Sequence, residues 1–274
     1  MIRRKASEHD GEPRDGGVQS VDRALQIIET LAEDDEGYRL SDLAIRTGLS
    51  TSTAHRLLTT LEKRRFVQFD RTESRWHVGA QSFAVGATFT RRRNFVALAT
   101  PYLRKLRDRT RETANLAVVD DESIMVLTRI ESREIMRSLT KVGGRVAMVA
   151  SGVGKAVLAT YADEDVHAII RRQGMPRLTE KSTVRAGDLF GELATIRRQG
   201  FAVDDEEARI GLRCVAAVVF NDCSEPLAAI SVSGMTSRVT VERLPELGAA
   251  VREVAAELTA AIGGVMPTAK AGRL

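Results

Sequence analysis

The stretch GLSTSTAHRLLTTLEKRRF, residues 48–66, determines how the first part of this chain folds. Four hydroxyl residues in a row, 50–53, stand just before a run whose apolar residues recur with helical spacing. At about 100° per residue these apolar residues form a single stripe, which identifies the face of the helix that packs inward. The stripe consists of Ala54, Leu57, Leu58 and Leu61.

The hydroxyl run is predicted to be the start of this helix. Ser50 is expected to be the N-cap, because its hydroxyl can accept a hydrogen bond from an otherwise unpaired backbone amide. Thr51, Ser52 and Thr53 then occupy the first turn and point forward off the helix end. A capping role alone is the simpler alternative for the run. The face opposite the apolar stripe carries Ser52, Arg56, Thr59 and Lys63, with His55 beside them.

The neighbouring segments complete a winged helix-turn-helix pattern. Residues 20–33 predict a first helix capped by Ser20, and residues 41–48 predict a second helix capped by Ser41 and ended by Gly48. Short strands are expected at 66–69 and 76–78, around a charged turn that forms the wing. In such a unit the second helix of the helix-turn-helix enters the major groove of double-stranded operator DNA. The predicted DNA contacts are Thr51, Ser52, Thr53, His55, Arg56, Thr59, Lys63, Arg71 and Arg75.

Charge is concentrated in the same region. The chain has 274 residues, which suits two domains, and a net charge of only +4. Residues 50–93 contain nine basic and three acidic residues, a difference of +6, so the rest of the chain is slightly acidic. This distribution favours nucleic acid as a partner of the first domain. RNA binding is disfavoured, because the stacking aromatics of RNA-binding modules are missing from the sequence.

The chain is predicted to contain two domains, an all-α-rich winged helix-turn-helix and an α+β domain. The predicted divisions are a disordered arm at 1–17, the winged helix-turn-helix at 18–78, a linker helix at 79–94, the second domain at 95–265 and a tail at 266–274. Strand-like runs occur at 115–119, 123–130, 134–140, 213–220 and 226–234. Helical patterns occur at 95–111, 152–161, 163–172, 187–199 and 241–262. Because the two types do not alternate strictly, a largely antiparallel sheet is expected.

Several classes of protein are disfavoured by composition and motif. The two cysteines form no CxxC pair and the four histidines are scattered, so neither a zinc site nor another cofactor is expected. The N-terminus has no apolar signal segment, and no apolar run approaches the length of a membrane span. A cytoplasmic protein with free thiols, and without a membrane partner, is the expectation.

Several segments resemble IclR-type bacterial transcriptional regulators. The resemblance is carried by VQSVDRALQIIETL, LSDLAIRTGLSTSTAHRLLTTLEKRRFV, SGVGKAVLA and GFAVDDEEARIGLRCVAAVVF, and it extends over about residues 18–262. It implies a DNA-binding domain, a linker helix used in dimerisation and a GAF-like domain that binds a small effector. It also implies that the protein is a homodimer or a homotetramer.

A small-residue segment, residues 150–156, is a candidate for part of the effector site. Backbone amides at Ser151, Gly152 and Val153 open a predicted helix and would favour a carboxylate, although a tight turn that only packs is the alternative. The segment is not a nucleotide-binding P-loop. Val149 stands where that motif needs its first glycine, and Ala156 stands where it needs Ser or Thr.

The resemblance implies that polar residues of the later strands line the effector cavity. Ser231 and Ser233 share one strand face because side chains alternate along a strand. The other implied lining residues are Asp204, Leu212 and Cys214. Similar sets occur in family members that sense glyoxylate or pyruvate, so a small 2-oxo or hydroxy carboxylate, glyoxylate foremost, is predicted. An aromatic acid is the alternative effector.

Two other functions compete with an effector-controlled regulator. An enzyme acting on a small acid could use Cys214 as a nucleophile or Lys155 as an amine. Such a nucleophile needs a paired base, and the sequence places none beside either residue, so no catalytic residue is predicted. An architectural DNA binder without a ligand is disfavoured by the polar residues of the later strands.

Overall fold

The computed structural model describes residues 17–93, 95–120, 123–132 and 141–267. By its contacts the chain divides into two compact units, Met1–Arg92 and Arg93–Leu274. The predicted arm at 1–17 lies outside the described residues except for Gly17, as do the predicted break at Asn94, the predicted strand at 134–140 and most of the predicted tail.

The first unit is a three-helix winged helix-turn-helix followed by a further helix. Its elements are α1 (Gln19–Ala32), α2 (Leu40–Thr47), α3 (Thr51–Lys63), β1 (Val67–Asp70), β2 (Arg75–Val78) and α4 (Ala80–Arg93). The two strands pair antiparallel, with Phe69 opposite Trp76. The predicted helices and the two-stranded wing are therefore present.

One small core holds the three helices and the wing together. The apolar stripe of α3 supplies Ala54 and Leu58, both with no exposed surface. Leu58 belongs to a buried cluster with Leu43 of α2 and Trp76 of β2. A backbone bridge between Tyr38 and Trp76 ties the segment before α2 to the wing. This packing leaves the opposite face of α3 exposed.

The helix ends agree with the sequence at some positions and differ at others. Gly48 ends α2 with a φ of 65°, a left-handed conformation that favours glycine, as expected. The caps predicted at Ser20 and Ser41 are wrong. The N-cap residues are Val18 and Arg39, neither of which makes a side-chain capping bond. Both serines instead lie inside the first turn, because each helix begins one residue before its serine.

The second unit is an α+β domain. Its elements are α5 (Phe95–Thr110), β3 (Thr113–Asp120), β4 (Ser123–Ile130), β5 (Arg145–Ala147), α6 (Gly152–Leu158), α7 (Asp163–Gln173), α8 (Ala186–Gln199), β6 (Ala202–Asp205), β7 (Leu212–Phe220), β8 (Pro226–Met235) and α9 (Leu244–Ala261). The strands form one sheet in the order β5-β4-β3-β8-β7-β6. Every strand pair among the described residues is antiparallel, which confirms the expected α+β class.

Alternating residues of the central strands fill two cores, one on each face of the sheet. Val215 and Ile230 lie in the cluster that includes α5 and α9. Ala216 and Ala229 lie in the cluster that includes α6, α7 and α8. Because both faces are covered, β7 is a continuous apolar run rather than an alternating one.

Three details of this unit differ from the sequence-based expectation. The helix expected at 152–161 ends at Leu158. The strands β5 and β6 were not expected, because three and four residues are too few to show a period-2 pattern. The helix expected at 241–262 begins with a 3-10 turn, Val241–Arg243, before α9.

None of the described helices has the combination of length and apolar character needed to cross a bilayer. Within the same residues, no group of three or more His, Cys, Asp or Glu side chains is arranged to hold a metal ion.

Candidate DNA-binding and effector-binding sites

The Ser50 hydroxyl caps the N-terminus of α3. Its Oγ accepts a hydrogen bond from the Thr53 backbone amide at 3.2 Å, which confirms Ser50 as the N-cap. The same oxygen lies 2.8 Å from Thr53 Oγ1 and 3.1 Å from Ser52 Oγ. Ser50 therefore has a structural role, while Thr51 and Ser52 are exposed at the helix tip.

The exposed face of α3 carries the predicted basic residues. His55, Arg56 and Lys63 are exposed, and Thr59 is half-buried. The Thr59 hydroxyl donates to the backbone carbonyl of His55 at 2.8 Å, so it is occupied within the helix. The remaining side chains are available to phosphates and base edges.

A groove of about 560 Å³ runs between α1 and α3 and brings together only part of the predicted set. From α3 it is lined by Thr53, His55, Arg56, Leu57, Thr59 and Thr60, and from α1 by Gln19, Ser20 and Arg23. Arg23 was not among the predicted DNA contacts. The α1 residues could not be found by periodicity, because their position beside α3 depends on how the helices cross.

The two wing arginines differ in their surroundings. Arg71 is exposed in the turn between β1 and β2. Arg75 is half-buried, and its Nη1 donates to the backbone carbonyl of Gly37 at 2.8 Å. The bond fixes the wing to the segment before α2, which gives Arg75 a structural role that the sequence did not reveal.

The wing turn is ordered by a neighbouring carboxylate. Asp70 Oδ1 accepts bonds from the backbone amides of Thr72 at 2.7 Å and Glu73 at 3.1 Å. The bonds from Glu73 and Thr72 hold the pKa of the Asp70 carboxyl below its ordinary value. The turn that presents Arg71 is thus defined by backbone hydrogen bonds.

All eight predicted effector residues line one cavity of the second unit, of about 70 Å³. They are Ser151, Gly152, Val153, Asp204, Leu212, Cys214, Ser231 and Ser233. Strand register explains this convergence, because Cys214 pairs with Ser233 across β7 and β8. The other lining residues are Asn115, Ala117, Val126, Val146 and Ala208.

Asn115 is the polar lining residue that the sequence did not reveal. It pairs with Ser231 across β3 and β8. Its Nδ2 donates to the hydroxyl oxygens of both Ser231 and Ser233, at 3.3 Å each. Because these bonds occupy serine lone pairs, Asn115 directs the two hydroxyl hydrogens away from itself.

The first turn of α6 forms another wall of the cavity. The Ser151 hydroxyl caps α6, accepting from the Gly154 amide at 3.1 Å and donating to the Ala147 carbonyl at 2.7 Å. Its hydroxyl is therefore occupied, and the backbone amides of Gly152 and Val153 are the groups of this turn that lack an intrahelical acceptor. Glycine suits position 152, because a Cβ there would lie 3.2 Å from Cys214 Sγ.

Burial perturbs two ionisable groups of the lining. Burial raises the pKa of the Asp204 carboxyl to about 6, although the Glu207 and Ala208 amides donate to it. Burial also raises the pKa of the Cys214 thiol to about 11, with the Asp204 charge adding to the effect. Cys214 is thus a neutral thiol at pH 7, which argues against the nucleophile alternative.

Lys155 lies on α6, three residues after Gly152, and is 1% exposed. Its Nζ forms ion pairs with Glu207 and, at 2.7 Å, with Glu192. Burial alone lowers the pKa of the Lys155 ammonium, but the two carboxylates outweigh it, so the pKa lies above its ordinary value. A permanently charged and paired ammonium is a poor amine nucleophile.

Both units of the chain resemble domains of known proteins. Residues 20–71 match the IclR helix-turn-helix domain, and residues 87–260 match the domain described as bacterial transcriptional regulator IclR C-terminal. The acetate operon repressor of Salmonella typhimurium is 41% identical over 92% of this chain and 93% of its own. The transcriptional repressor IclR of Escherichia coli is 40% identical over 92% and 93%, respectively.

The fold also resembles that of a solved IclR structure. The crystal structure of the Thermotoga maritima IclR superposes with a TM-score of 0.74 at 25% identity, over 89% of this chain and 99% of that one. The family matched by residues 87–260 is that of bacterial transcriptional regulators, so the chain is a regulator and not an enzyme. It belongs to the IclR family of bacterial transcriptional regulators.

Proposed function

We propose that this chain is a transcriptional repressor whose operator binding is controlled by a small 2-oxo carboxylate such as glyoxylate or pyruvate. The observation that carries the effector assignment is the convergence of eight separately predicted residues on one small polar cavity. Repression is proposed because the two related proteins of Salmonella typhimurium and Escherichia coli are named as repressors.

Operator DNA is proposed to lie against the tip and exposed face of α3. Arg56 and His55 line the groove beside α1, and no acidic residue lines it among the described residues. A groove of this character suits a phosphate backbone, while the hydroxyls of Thr51 and Ser52 can reach base edges. The proposed contacts are those predicted from the sequence, with Arg75 contributing mainly by fixing the wing.

The size of the cavity supports a small effector over an aromatic acid. Its volume is about 70 Å³, and about 10–15 Å³ of such space is enough to hold one water molecule. A cavity of about 150 Å³ is the size known to admit benzene. An acid with two or three carbon atoms therefore fits with little rearrangement, whereas an aromatic ring would require the walls to move.

The lining supports a carboxylate with a second polar group. The α6 amides of Gly152 and Val153 offer two donors to an anion at one wall. On the strand β8 the hydroxyls of Ser231 and Ser233 offer donors to a 2-oxo or 2-hydroxy oxygen. Such a ligand satisfies both walls at once, which a purely apolar acid would not do.

An oligomer is part of the proposal, either a homodimer or a homotetramer. On α4 the side chain of Phe83 is 80% exposed, and on α1 those of Val21 and Leu25 are 55% and 53% exposed. A partner copy covering these residues would remove their apolar surface from water. Two copies of α3 would then read the two halves of a pseudo-palindromic operator.

The test measures DNA binding and effector binding with the same preparation. A labelled operator is first selected by the protein from a pool of random duplexes and then followed by fluorescence anisotropy. Glyoxylate or pyruvate is expected to bind in calorimetry and to change operator affinity, because a ligand shifts an equilibrium by its differential affinity for the two states. Benzoate is expected to do neither.

Matched variants separate the two sites. Ser233→Ala removes a cavity hydroxyl and is expected to weaken the effector response while leaving operator affinity unchanged. Ser237→Ala, at an exposed position outside the cavity lining, is the control. Tight binding of benzoate without binding of either 2-oxo acid would refute the proposed effector class.

A further inference from the structure

The Asp204 carboxylate is placed inside the effector cavity without a cation beside it. Asp204 lines the cavity and is only 4% exposed. Its Oδ1 accepts from the Glu207 amide at 2.8 Å and from the Ala208 amide at 3.3 Å. In the part of the chain that the structure describes, no Lys or Arg forms an ion pair with Asp204.

The charged groups around Asp204 do not neutralise it. Lys155 of α6 is the nearest buried cation, but it is paired with Glu192 of α8 and Glu207 of the following loop. Two carboxylates on one ammonium already leave a net negative charge. Cys214 of β7 adds no charge of either sign, since its thiol is neutral at pH 7.

A carboxylate effector would therefore meet a carboxylate in a cavity of about 70 Å³. Two like charges at such short range, and removed from water, repel strongly and raise the pKa of the weaker acid. The conflict disappears if one of the two groups takes up a proton. Asp204 is the candidate, because the 2-oxo acids proposed above are stronger acids than an aspartate side chain.

We propose that the Asp204 side chain is in its neutral carboxylic acid form when it holds the effector, so that the effector and one proton are bound together. The inference rests on the proposed function. The proton comes from solvent, and the second carboxyl oxygen of Asp204, Oδ2, donates it in a hydrogen bond to the effector. Asp204 thereby selects ligands that present a hydrogen-bond acceptor atom to it. The oxygen of a 2-oxo group is such an acceptor.

The surroundings of Asp204 already shift its protonation equilibrium towards the neutral form before the effector arrives. Burial raises the pKa of its carboxyl to about 6. Effector affinity is therefore expected to be constant well below pH 6 and to fall by up to about tenfold per pH unit above it, as linkage requires for one bound proton. Near pH 8 each binding event is expected to take up close to one proton.

Isothermal titration of the full-length protein with glyoxylate tests this inference. Titrations at pH 5.5, 7 and 8 in two buffers with different ionisation enthalpies give both the affinity and the number of protons taken up. Asp204→Asn mimics the neutral acid and is expected to bind glyoxylate with the low-pH affinity of the wild type at every pH. Asp205→Asn is the matched control, because the Asp205 side chain lies outside the cavity lining and pairs with Arg213. This variant is expected to keep the wild-type pH profile.

Glu207 is the competing site for the proton. It is a second buried carboxylate, and its Oε2 has no hydrogen-bond partner among the described residues. If Glu207→Gln abolishes the pH dependence while Asp204→Asn retains it, the assignment to Asp204 is overturned. A folded Asp204→Asn protein that binds no glyoxylate at pH 5.5 also overturns it, because the carboxylate would then be required as an anion.

The remaining outcomes separate the two proposals. Glyoxylate binding with a flat pH profile and no proton uptake overturns the proton linkage but leaves the effector assignment intact. Failure of both glyoxylate and pyruvate to bind the wild-type protein at any pH overturns the effector assignment and the linkage with it.

Discussion

Replacing Ser50 by alanine removes the hydroxyl that caps α3 while leaving every other hydroxyl of the run in place. Ser50 has the extended backbone of an N-cap residue, with φ −66° and ψ 146°, and its Oγ accepts from the Thr53 amide at 3.2 Å. Alanine leaves that amide without a protein acceptor. Loss of such a cap typically costs about 1 kcal/mol of folding free energy, within a range of about 0.5–2.

Trp76 makes this loss measurable in the full-length chain. It is the only tryptophan of the sequence, is 5% exposed and lies in the core cluster that contains Leu58 of α3. Its fluorescence therefore follows unfolding of the winged helix-turn-helix independently of the second domain. With a denaturant slope of about 1 kcal/mol per M urea for a small domain, Ser50→Ala is expected to lower the midpoint by about 1 M.

Ser52→Ala is the matched control, because Ser52 belongs to the same run but does not cap the helix. Its midpoint is expected to stay near that of the wild type, while its operator affinity falls if Ser52 contacts DNA. Equal midpoints for the two variants would refute the division of the hydroxyl run into one structural residue and three at the DNA-facing tip.

Three further predictions concern the two sites. Arg56→Ala is expected to weaken operator binding by about 1–3 kcal/mol without changing the Trp76 unfolding midpoint, and anisotropy with exposed Arg104→Ala as control checks this. Gly154→Ala would place a Cβ 2.2 Å from the backbone oxygen of Met148, so calorimetry should show the second domain destabilised by about 1–3 kcal/mol or more. Burial raises the pKa of Asp204 from 3.8 to about 6 in the folded state, so this group's contribution to stability is fully present below pH 4 and is lost as the pH rises through 6. Without ligand, Asp204→Asn should therefore exceed the wild type in stability at pH 7.5 by up to about 3 kcal/mol, a gain that shrinks towards pH 4 in urea titrations followed by circular dichroism.

The parts of the molecule that sequence could predict are those determined within a few residues. The apolar stripe of α3, the Ser50 cap and the left-handed Gly48 each follow from local spacing and backbone chemistry. Ser20 and Ser41 show the limit of the same reasoning, because a serine near a helix start can stand at the cap or just inside the first turn.

The effector cavity could be predicted only in part, because its walls come from strands distant in sequence. The period-2 pattern placed Ser231 and Ser233 on one face, but Asp204 and Cys214 were assigned through the family resemblance. Asn115 is one of three polar residues in β3, with Thr113 and Asp120, and nothing in the local sequence distinguishes it from them. Its role became apparent through its register with β8, which brings it beside Ser231.

Lys155 shows why charge, too, must be judged from the folded chain. A lysine early in a helix is ordinarily solvated, yet this one is 1% exposed and paired with carboxylates 37 and 52 residues further along the chain. Because Glu192 and Glu207 occupy its ammonium group, Lys155 forms no ion pair with Asp204. In the proposed linkage, the burial of Asp204, with no ion-pair partner for its carboxylate, sets the pH above which an acidic effector binds less tightly.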